Sequence, residues 1–423
     1  MKALFLVSHI DSTNGICVQT VAKRLVEKGV EVHILTQSNQ TAEDMKKAEN
    51  GICVYTVSEN PISKQMKRAG AMKGRLGTVF ASMYKTIHRL WVLLCYPCWP
   101  MTSPLRAWKF SNKAAEIVKE KNIDVIIPIY GSVETLLAAN STKKQIPQVK
   151  LVPYFLDALL AGQTPRLMKP ETKQKKAIWW EKKLLSNADG IVMMNAAKKC
   201  YEDFSAGLDY YDRITFLDIP MLLMQNNGEK SGQRRNFPKD ETVFFFAGAM
   251  ARNIRDPRKT LEIFMQTKNP QWRLYLAGTS DYMSAVEESA KKDSRIRFLG
   301  KLPHAQVREM MEEADFLVNI GNTLSYMVPS KIFEYMAFEK PIVSTCKLKD
   351  DPSLPYLEAY KKIVILDEQS DVVASAAQLE HFVADVSTGK LVWTSLADLT
   401  EVDAPLYNNT PDAFGRYLEK ILQ

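Results

Sequence analysis

The chain reads as an α/β protein of two doubly wound parallel-sheet domains in tandem, and three observations predict this. Its 423 residues exceed the roughly 100–200 typical of one domain, and 46% hydrophobic residues suffice for two cores. Short apolar runs alternate with amphipathic stretches through both halves, the pattern of parallel strands covered by helices on both faces. Between the halves, from Met221 to Asp240, periodicity lapses and Asn, Gly, Ser and charge collect, as in a linker. The domains are therefore expected at 1–220 and 241–404, joined by the linker 221–240.

In the first half, strands are expected at Ala3 to Val7, Val32 to Thr36, Cys53 to Val57, Val125 to Ile129, Leu151 to Phe155 and Gly190 to Met194. Helical patterns at Val18 to Lys28 and Lys113 to Lys121 lie among them. The second half repeats the scheme, with strands at Val243 to Ala247, Arg273 to Ala277, Ile296 to Leu299, Phe316 to Ile320, Ile342 to Ser344 and Ile363 to Leu366. Thr410-Pro411 then supplies an N-cap and first helical residue for a terminal helix within 405–423, with Phe414, Leu418, Ile421 and Leu422 on its apolar side.

The stretch Val328 to Val343, VPSKIFEYMAFEKPIV, carries the most chemistry. Pro329 suits the first helical position, and the free N–H groups of Ser330 and Lys331 with the positive end of the helix dipole offer an anion site. Glu334, at i+4 from Ser330 and i+3 from Lys331, projects from the same side, while Ile332, Phe333, Met336 and Ala337 can pack inward. A carboxylate beside a phosphate site repels the phosphate, so a neutral hydroxylated group such as a ribose is expected between them. The second half also opens on a strand and loop, Phe244 to Phe264, in which Gly248 allows close backbone approach and Arg252, Arg255, Arg258 and Lys259 follow. Arginine matches phosphate oxygens bidentately and keeps its charge at any working pH.

This unit resembles the donor-binding core of the GT-B glycosyltransferases, in particular the retaining nucleotide-sugar family 4 (glycosyl transferases group 1). The resemblance implies two Rossmann-like domains with an intervening cleft and a terminal helix crossing back to the first domain. In that family one helix carries two glutamates spaced E-x7-E, the second for the ribose and the first for the sugar. Glu334 matches the second, and Tyr326 stands where the first would fall. The resemblance further assigns Arg255 to the diphosphate, with Arg252 in reserve, Lys331 as a second cation clamping it, and Lys301 and Leu302 to the nucleobase. Stabilising the charge that develops on the leaving diphosphate is the expected core of the mechanism.

Near the start, the loop SHIDSTNG brings His9, Asp11, Asn14 and Gly15 to the carboxyl end of the first strand, where doubly wound folds bind ligand. It is not G-x-G-x-x-G, so nothing in it argues for a nicotinamide or flavin; the resemblance sets Gly15 toward the reacting sugar. Asp157, after the strand LVPYF, is a candidate acid or base for the acceptor hydroxyl, though Asp is also a common helix N-cap. Glu134 competes for that role. There is no Asp-x-Asp and no His/Cys cluster with ligand spacing, so neither metal nor cofactor is expected beyond the donor substrate.

From Pro61 to Ala115 there is no acidic residue, against ten cations, in a chain whose net charge is +8. The cations are Lys64, Lys67, Arg68, Lys73, Arg75, Lys85, Arg89, Arg106, Lys109 and Lys113, interleaved with Phe80, Tyr84, Trp91, Trp99, Trp108 and aliphatic residues. Basic, aromatic and apolar together read as a surface that lies on anionic lipid, with a solvated basic helix face as the competing account. Leu90 to Met101 is too short to span a bilayer, and no recognised nucleic-acid module accompanies the charge. Six cysteines form no framework, and no signal peptide opens the chain, which points to the cytoplasm at the inner face of a membrane. The expected function is transfer of a hexose from a nucleoside diphosphate sugar to a lipid-linked or saccharide acceptor in surface polysaccharide or glycolipid synthesis. A nucleotide-sugar epimerase of GT-B shape and a non-catalytic nucleotide-sugar-binding partner are the alternatives.

Overall fold

The computed structural model describes residues 1–37, 46–47, 51–58, 79–80, 82–83, 86–87, 90, 94, 96–100, 102–165, 167–222, 236–325 and 327–423. Tyr326, most of the linker and much of the basic segment, including Lys64, Lys67, Arg68, Lys73, Arg75, Lys85, Arg89 and Trp91, lie outside them. The chain divides into two compact units: Met1–Pro220 with Pro411–Gln423, and Met221–Thr410.

The first unit contains β1 (Lys2–Val7), β2 (Glu31–Gln37), β3 (Lys46–Lys47), β4 (Cys53–Val57), β5 (Val125–Pro128) and β6 (Lys150–Leu151), in the order β3-β4-β2-β1-β5-β6. All pairs are parallel except β3 with β4. The order in which successive strands are added reverses between β1 and β5, which makes the carboxyl ends of these two parallel strands the natural ligand position. Leu4, Phe5, Leu6, Ile126 and Ile127 are fully buried, as the unbroken apolar runs of a sheet covered on both faces require.

The run expected as one strand from Leu151 to Phe155 divides at Val152-Pro153. Pro153 has no N–H to donate to a ladder. The chain continues as β7 (Tyr154–Phe155), which pairs with β8 (Ile191–Met194) and then β9 (Ile214–Leu217) in a second, three-stranded parallel sheet. The helix expected from Lys113 begins at Pro104, because Ser103 caps it and proline is tolerated in the first turn.

The second unit is a six-stranded parallel sheet of β10 (Thr242–Ala247), β11 (Trp272–Ala277), β12 (Ile296–Gly300), β13 (Phe316–Asn319), β14 (Ile342–Cys346) and β15 (Ile363–Asp367). Its order, β12-β11-β10-β13-β14-β15, puts the switch point between β10 and β13. Phe244 stacks on Phe316 at 4.8 Å across that point. The end of the expected linker is part of this core: Phe237 is buried, 4.7 Å from the Tyr275 ring and 6.0 Å from Phe245. Residues 405–410 also stay with the second unit, since Leu222 donates to the Asn409 carbonyl at 2.9 Å. The terminal helix, Pro411–Leu422, belongs to the first unit. Its Phe414 stacks on Tyr154 at 4.7 Å, and Asp412 takes hydrogen bonds from Arg24 at 3.0 Å.

Candidate functional site

The site in the second unit is built from loops at the carboxyl ends of its strands. Gly248 follows β10, Gly278 follows β11 and Gly300 closes β12. Gly278 has φ +134°, and a Cβ on it would stand 1.8 Å from the Gly248 carbonyl oxygen, so no side chain fits. Hydrogen bonds from Gly248 to Ala277 (2.9 Å), Gly278 to Gly300 (2.8 Å) and Met250 to Thr279 (2.8 Å) then join the three loops into one rim.

Arg255 reaches back onto this rim. Its Nη1 donates to the Ala249 carbonyl at 3.2 Å and lies 3.6 Å from where a Cβ on Gly248 would be. Its Nε is buried without a hydrogen-bond partner. Desolvation holds its pKa below the ordinary arginine value, against the opposing influence of Tyr335. A desolvated, incompletely satisfied guanidinium beside a glycine is suited to an oxyanion. Arg252, by contrast, is exposed, and it is its backbone N–H that is held, by Asp281 at 2.9 Å. Arg258 is chelated by Asp256 at 2.6 Å. Lys259 donates to the Ser370 carbonyl at 2.9 Å.

The helix Ser330–Ala337 begins one residue later than expected, with Pro329 at the N-cap rather than the first helical position and no side-chain cap. Ile332, Phe333, Tyr335 and Met336 form its buried face. Lys331 and Glu334 meet at 2.5 Å. An i,i+3 pair on one face is close enough to bond, so the two side chains stand together at the start of this helix. Ser330 and Glu334 are half-buried at the same helix end. Beyond Gly300, which has φ +70°, Lys301 is exposed and Leu302 half-buried.

Tyr335 is not among the residues that the sequence places inward on this helix, yet it is buried. It is 1% exposed, and its hydroxyl accepts from the Ala247 N–H at 3.2 Å. Burial pushes its phenol well above the ordinary value. The β10–β13 ladder covers only Phe244 with Phe316 and Phe245 with Leu317. Ala247 therefore extends past the pairing, and the tyrosine satisfies the N–H that the sheet leaves open.

In the first unit, Gly15 lies in the first turn of the helix Thr13–Glu27, where a Cβ would meet the Ile10 carbonyl oxygen at 2.1 Å. Asn14 donates to the Tyr130 carbonyl at 3.1 Å, which joins the end of β1 to that of β5. The His9 carbonyl accepts from the Ser12 hydroxyl at 2.6 Å, and Asp11 is exposed. Glu134 is buried and accepts from the Ser103 N–H at 2.9 Å, so it is a structural tie and not a free acid or base. Arg106, counted in the basic segment, turns inward to Ser132 at 2.9 Å. Lys109 bonds Ser58 at 2.7 Å, and Lys113 pairs with Glu116 at 2.5 Å.

No helix follows Asp157 to be capped; turns occupy 156–162, and the next helix starts at Pro170. The Asp157 side chain reaches solvent, yet desolvation by the surrounding protein raises its carboxyl pKa, a shift toward the range of a general base. Glu181, fully buried on the helix Pro170–Leu185, accepts from the Leu160 N–H at 2.9 Å, Tyr201 at 2.8 Å and Tyr210 at 2.7 Å, which fixes the turn that carries Asp157. Among the described residues no group of three or more His, Cys, Asp or Glu could hold a metal ion.

The two doubly wound units have the GT-B fold, as the solved structures they resemble show. Residues 241–385 match the family model Glycosyl transferases group 1. HepE of Anabaena, solved with UDP and glucose, superposes with TM-score 0.61 at 14% identity, over 99% of this chain and 100% of its own. An E. coli structure described as trehalose-6-phosphate bound with UDP-2-fluoro glucose gives 0.60 at 11% identity, over 100% and 99%. WaaG, described as a glycosyltransferase involved in lipopolysaccharide biosynthesis, gives 0.54 at 13%, over 98% and 99%. No curated protein matches the chain in sequence.

Proposed function

We propose that this protein transfers a hexose from a nucleoside diphosphate sugar to a lipid-linked acceptor, with retention of anomeric configuration, in building a surface polysaccharide or glycolipid. The observation that carries this reading is Arg255, desolvated and with an unpaired Nε, against the Gly248 rim at the switch point of the second unit. An oxyanion of the donor diphosphate answers that unmet donor, and the contact strengthens as charge develops on the leaving group. Glu334 accepts from ribose hydroxyls, with Lys331 held beside it by their ion pair. HepE has also been solved with UDP-glucose, which makes uridine donors the first to try. Asp157 is the group proposed to meet the acceptor hydroxyl, its raised pKa favouring proton uptake.

The acceptor class rests on the basic, aromatic segment of the first unit. Val79, Phe80, Met83, Ile87, Leu90 and Leu94 are all exposed, at spacings near a helical repeat. An apolar stripe open to solvent amid cations suits the surface of an anionic bilayer. We read the enzyme as peripheral at the inner face of the membrane.

Incubation with a panel of nucleotide sugars and membrane extract, followed by mass analysis, tests this function. A glycosylated lipid is the expected product; an interconverted sugar nucleotide, or no product at all, rejects it. Glu334→Gln removes the charged acceptor for ribose and is expected to weaken donor binding by about 1.5–3 kcal/mol. Unchanged donor affinity by calorimetry would remove Glu334 from the site.

A further inference from the structure

The helix Pro170–Leu185 sorts its residues sharply. Lys173, Ala177, Glu181, Leu184 and Leu185 are buried, so the opposite side carries Lys175, Trp179, Lys182 and Lys183, all exposed. Glu181 is taken out of the surface balance by its three buried donors. Glu171, in the first turn, is the only acidic residue left on the helix surface. None of the three lysines is paired with a carboxylate among the described residues; Lys183 instead lies 5.0 Å from the Trp179 ring centre.

Trp179 is 57% exposed, against the usual fate of tryptophan in a soluble domain, and Leu167 in the preceding loop is 71% exposed. The same surface continues into the basic, aromatic segment. The Tyr96 hydroxyl accepts from the Leu167 N–H at 2.9 Å. A cavity of about 430 Å³ is lined by Cys98 and Trp99 from that segment and by Lys175, Lys176, Trp179 and Trp180 from the helix.

We propose that the outward face of the helix Pro170–Leu185 is a second lipid-binding surface, taking phosphate headgroups of an anionic bilayer on Lys175, Lys182 and Lys183 and seating Trp179 at the interface. This rests on the membrane reading above and extends it to a different element. Charge complementarity commits the occupant: three uncompensated lysines need an anionic partner. Their long stems lie along apolar surface while the ammonium groups stay wet, and an indole beside them is suited to the headgroup level. A cavity between Trp99 and Trp179 gives room for a headgroup to settle between the two elements.

The test uses the full chain in flotation with phosphatidylglycerol-containing and pure phosphatidylcholine vesicles. Polybasic attraction is worth about five-fold per cation near an anionic surface, so Lys175→Gln, Lys182→Gln and Lys183→Gln together should weaken partition into anionic vesicles by about 100-fold. Trp179→Ser should weaken it further, and at high salt as well. Lys291→Gln, Lys349→Gln and Lys390→Gln, an equal charge change on the second unit, should leave it nearly unaltered. All substituted side chains are exposed, so thermal unfolding should not move. Wild-type partition retained by the triple variant or by Trp179→Ser overturns this inference and leaves the membrane reading intact. An equal loss in the control triple shows general charge attraction and also overturns it. If the wild-type chain does not prefer anionic vesicles, both readings fall.

Discussion

Tyr335 links two parts of the second-unit site that lie 88 residues apart in sequence, the end of β10 and the helix bearing Glu334. Its hydroxyl does a backbone's work at the point where β10 outruns its neighbour. Tyr335→Phe keeps the packing and removes the acceptor for the Ala247 N–H together with a long donation to the Ala247 carbonyl at 3.5 Å. A buried amide left without a partner costs about 1–3 kcal/mol, so urea unfolding should show a loss of that size. No loss would mean that the Ala247 N–H finds another acceptor and that the tyrosine is only packing. Sequence reasoning did not find this residue, because a tyrosine's place in a helix does not announce a partner 88 residues away. The Lys331–Glu334 pair was closer to legible: their spacing placed both on one face, and opposite charges at that range bond each other.

At the scale of elements, the helix Ser330–Ala337 ends in a way its sequence disguises. Phe338 is the C-cap, and Glu339 follows at φ +53° with its N–H bonded to the Met336 carbonyl at 2.8 Å. That is the left-handed position of a Schellman-type turn, which favours glycine because a Cβ crowds the following carbonyl. The Glu339 side chain is exposed, so little is lost with it. Glu339→Gly is therefore expected to stabilise the protein by about 1 kcal/mol, read as a higher urea midpoint at unchanged slope, with donor affinity unaltered. A lower midpoint would show that the carboxylate contributes more than the strain. Strands were the most legible elements, since buried parallel strands are continuous apolar runs and β1, β2, β4 and β10 lie within a residue of their expected limits. Strands with weak or interrupted apolar runs were not. β9 has only four residues, three of them half-buried, and Pro153 divides what apolar character alone joins.

At the scale of the whole molecule, the two halves were legible as repeats of one scheme, but their true limits depend on packing that pairs distant segments. The last helix is the clearest case. Its apolar side, read from Phe414 and Leu418, needs a surface to cover, and the structure supplies it in the first unit. Phe414 lies on Tyr154 and 6.4 Å from Phe5, both inside the sheet region, and a Cβ on Gly190 would collide with the Tyr417 hydroxyl at 2.2 Å. Ala413, Phe414, Tyr417 and Leu418 are buried there. Full burial of a large apolar side chain stabilises by about 1.5–3 kcal/mol, so three of them together rival the marginal stability of a domain. Asp412 adds hydrogen bonds with Arg24 and Lys28, but these groups are more than a quarter exposed and their contribution is small. Ending the chain at Thr410 should therefore strip protection from the amides of β1, β5 and β7 in hydrogen exchange, while those of β10 and β11 keep theirs. Donor affinity, which the proposed function assigns to the second unit, should survive the truncation even where sugar transfer is lost. Full protection of β1 in the truncated chain would show that the terminal helix only covers the first unit without holding it together.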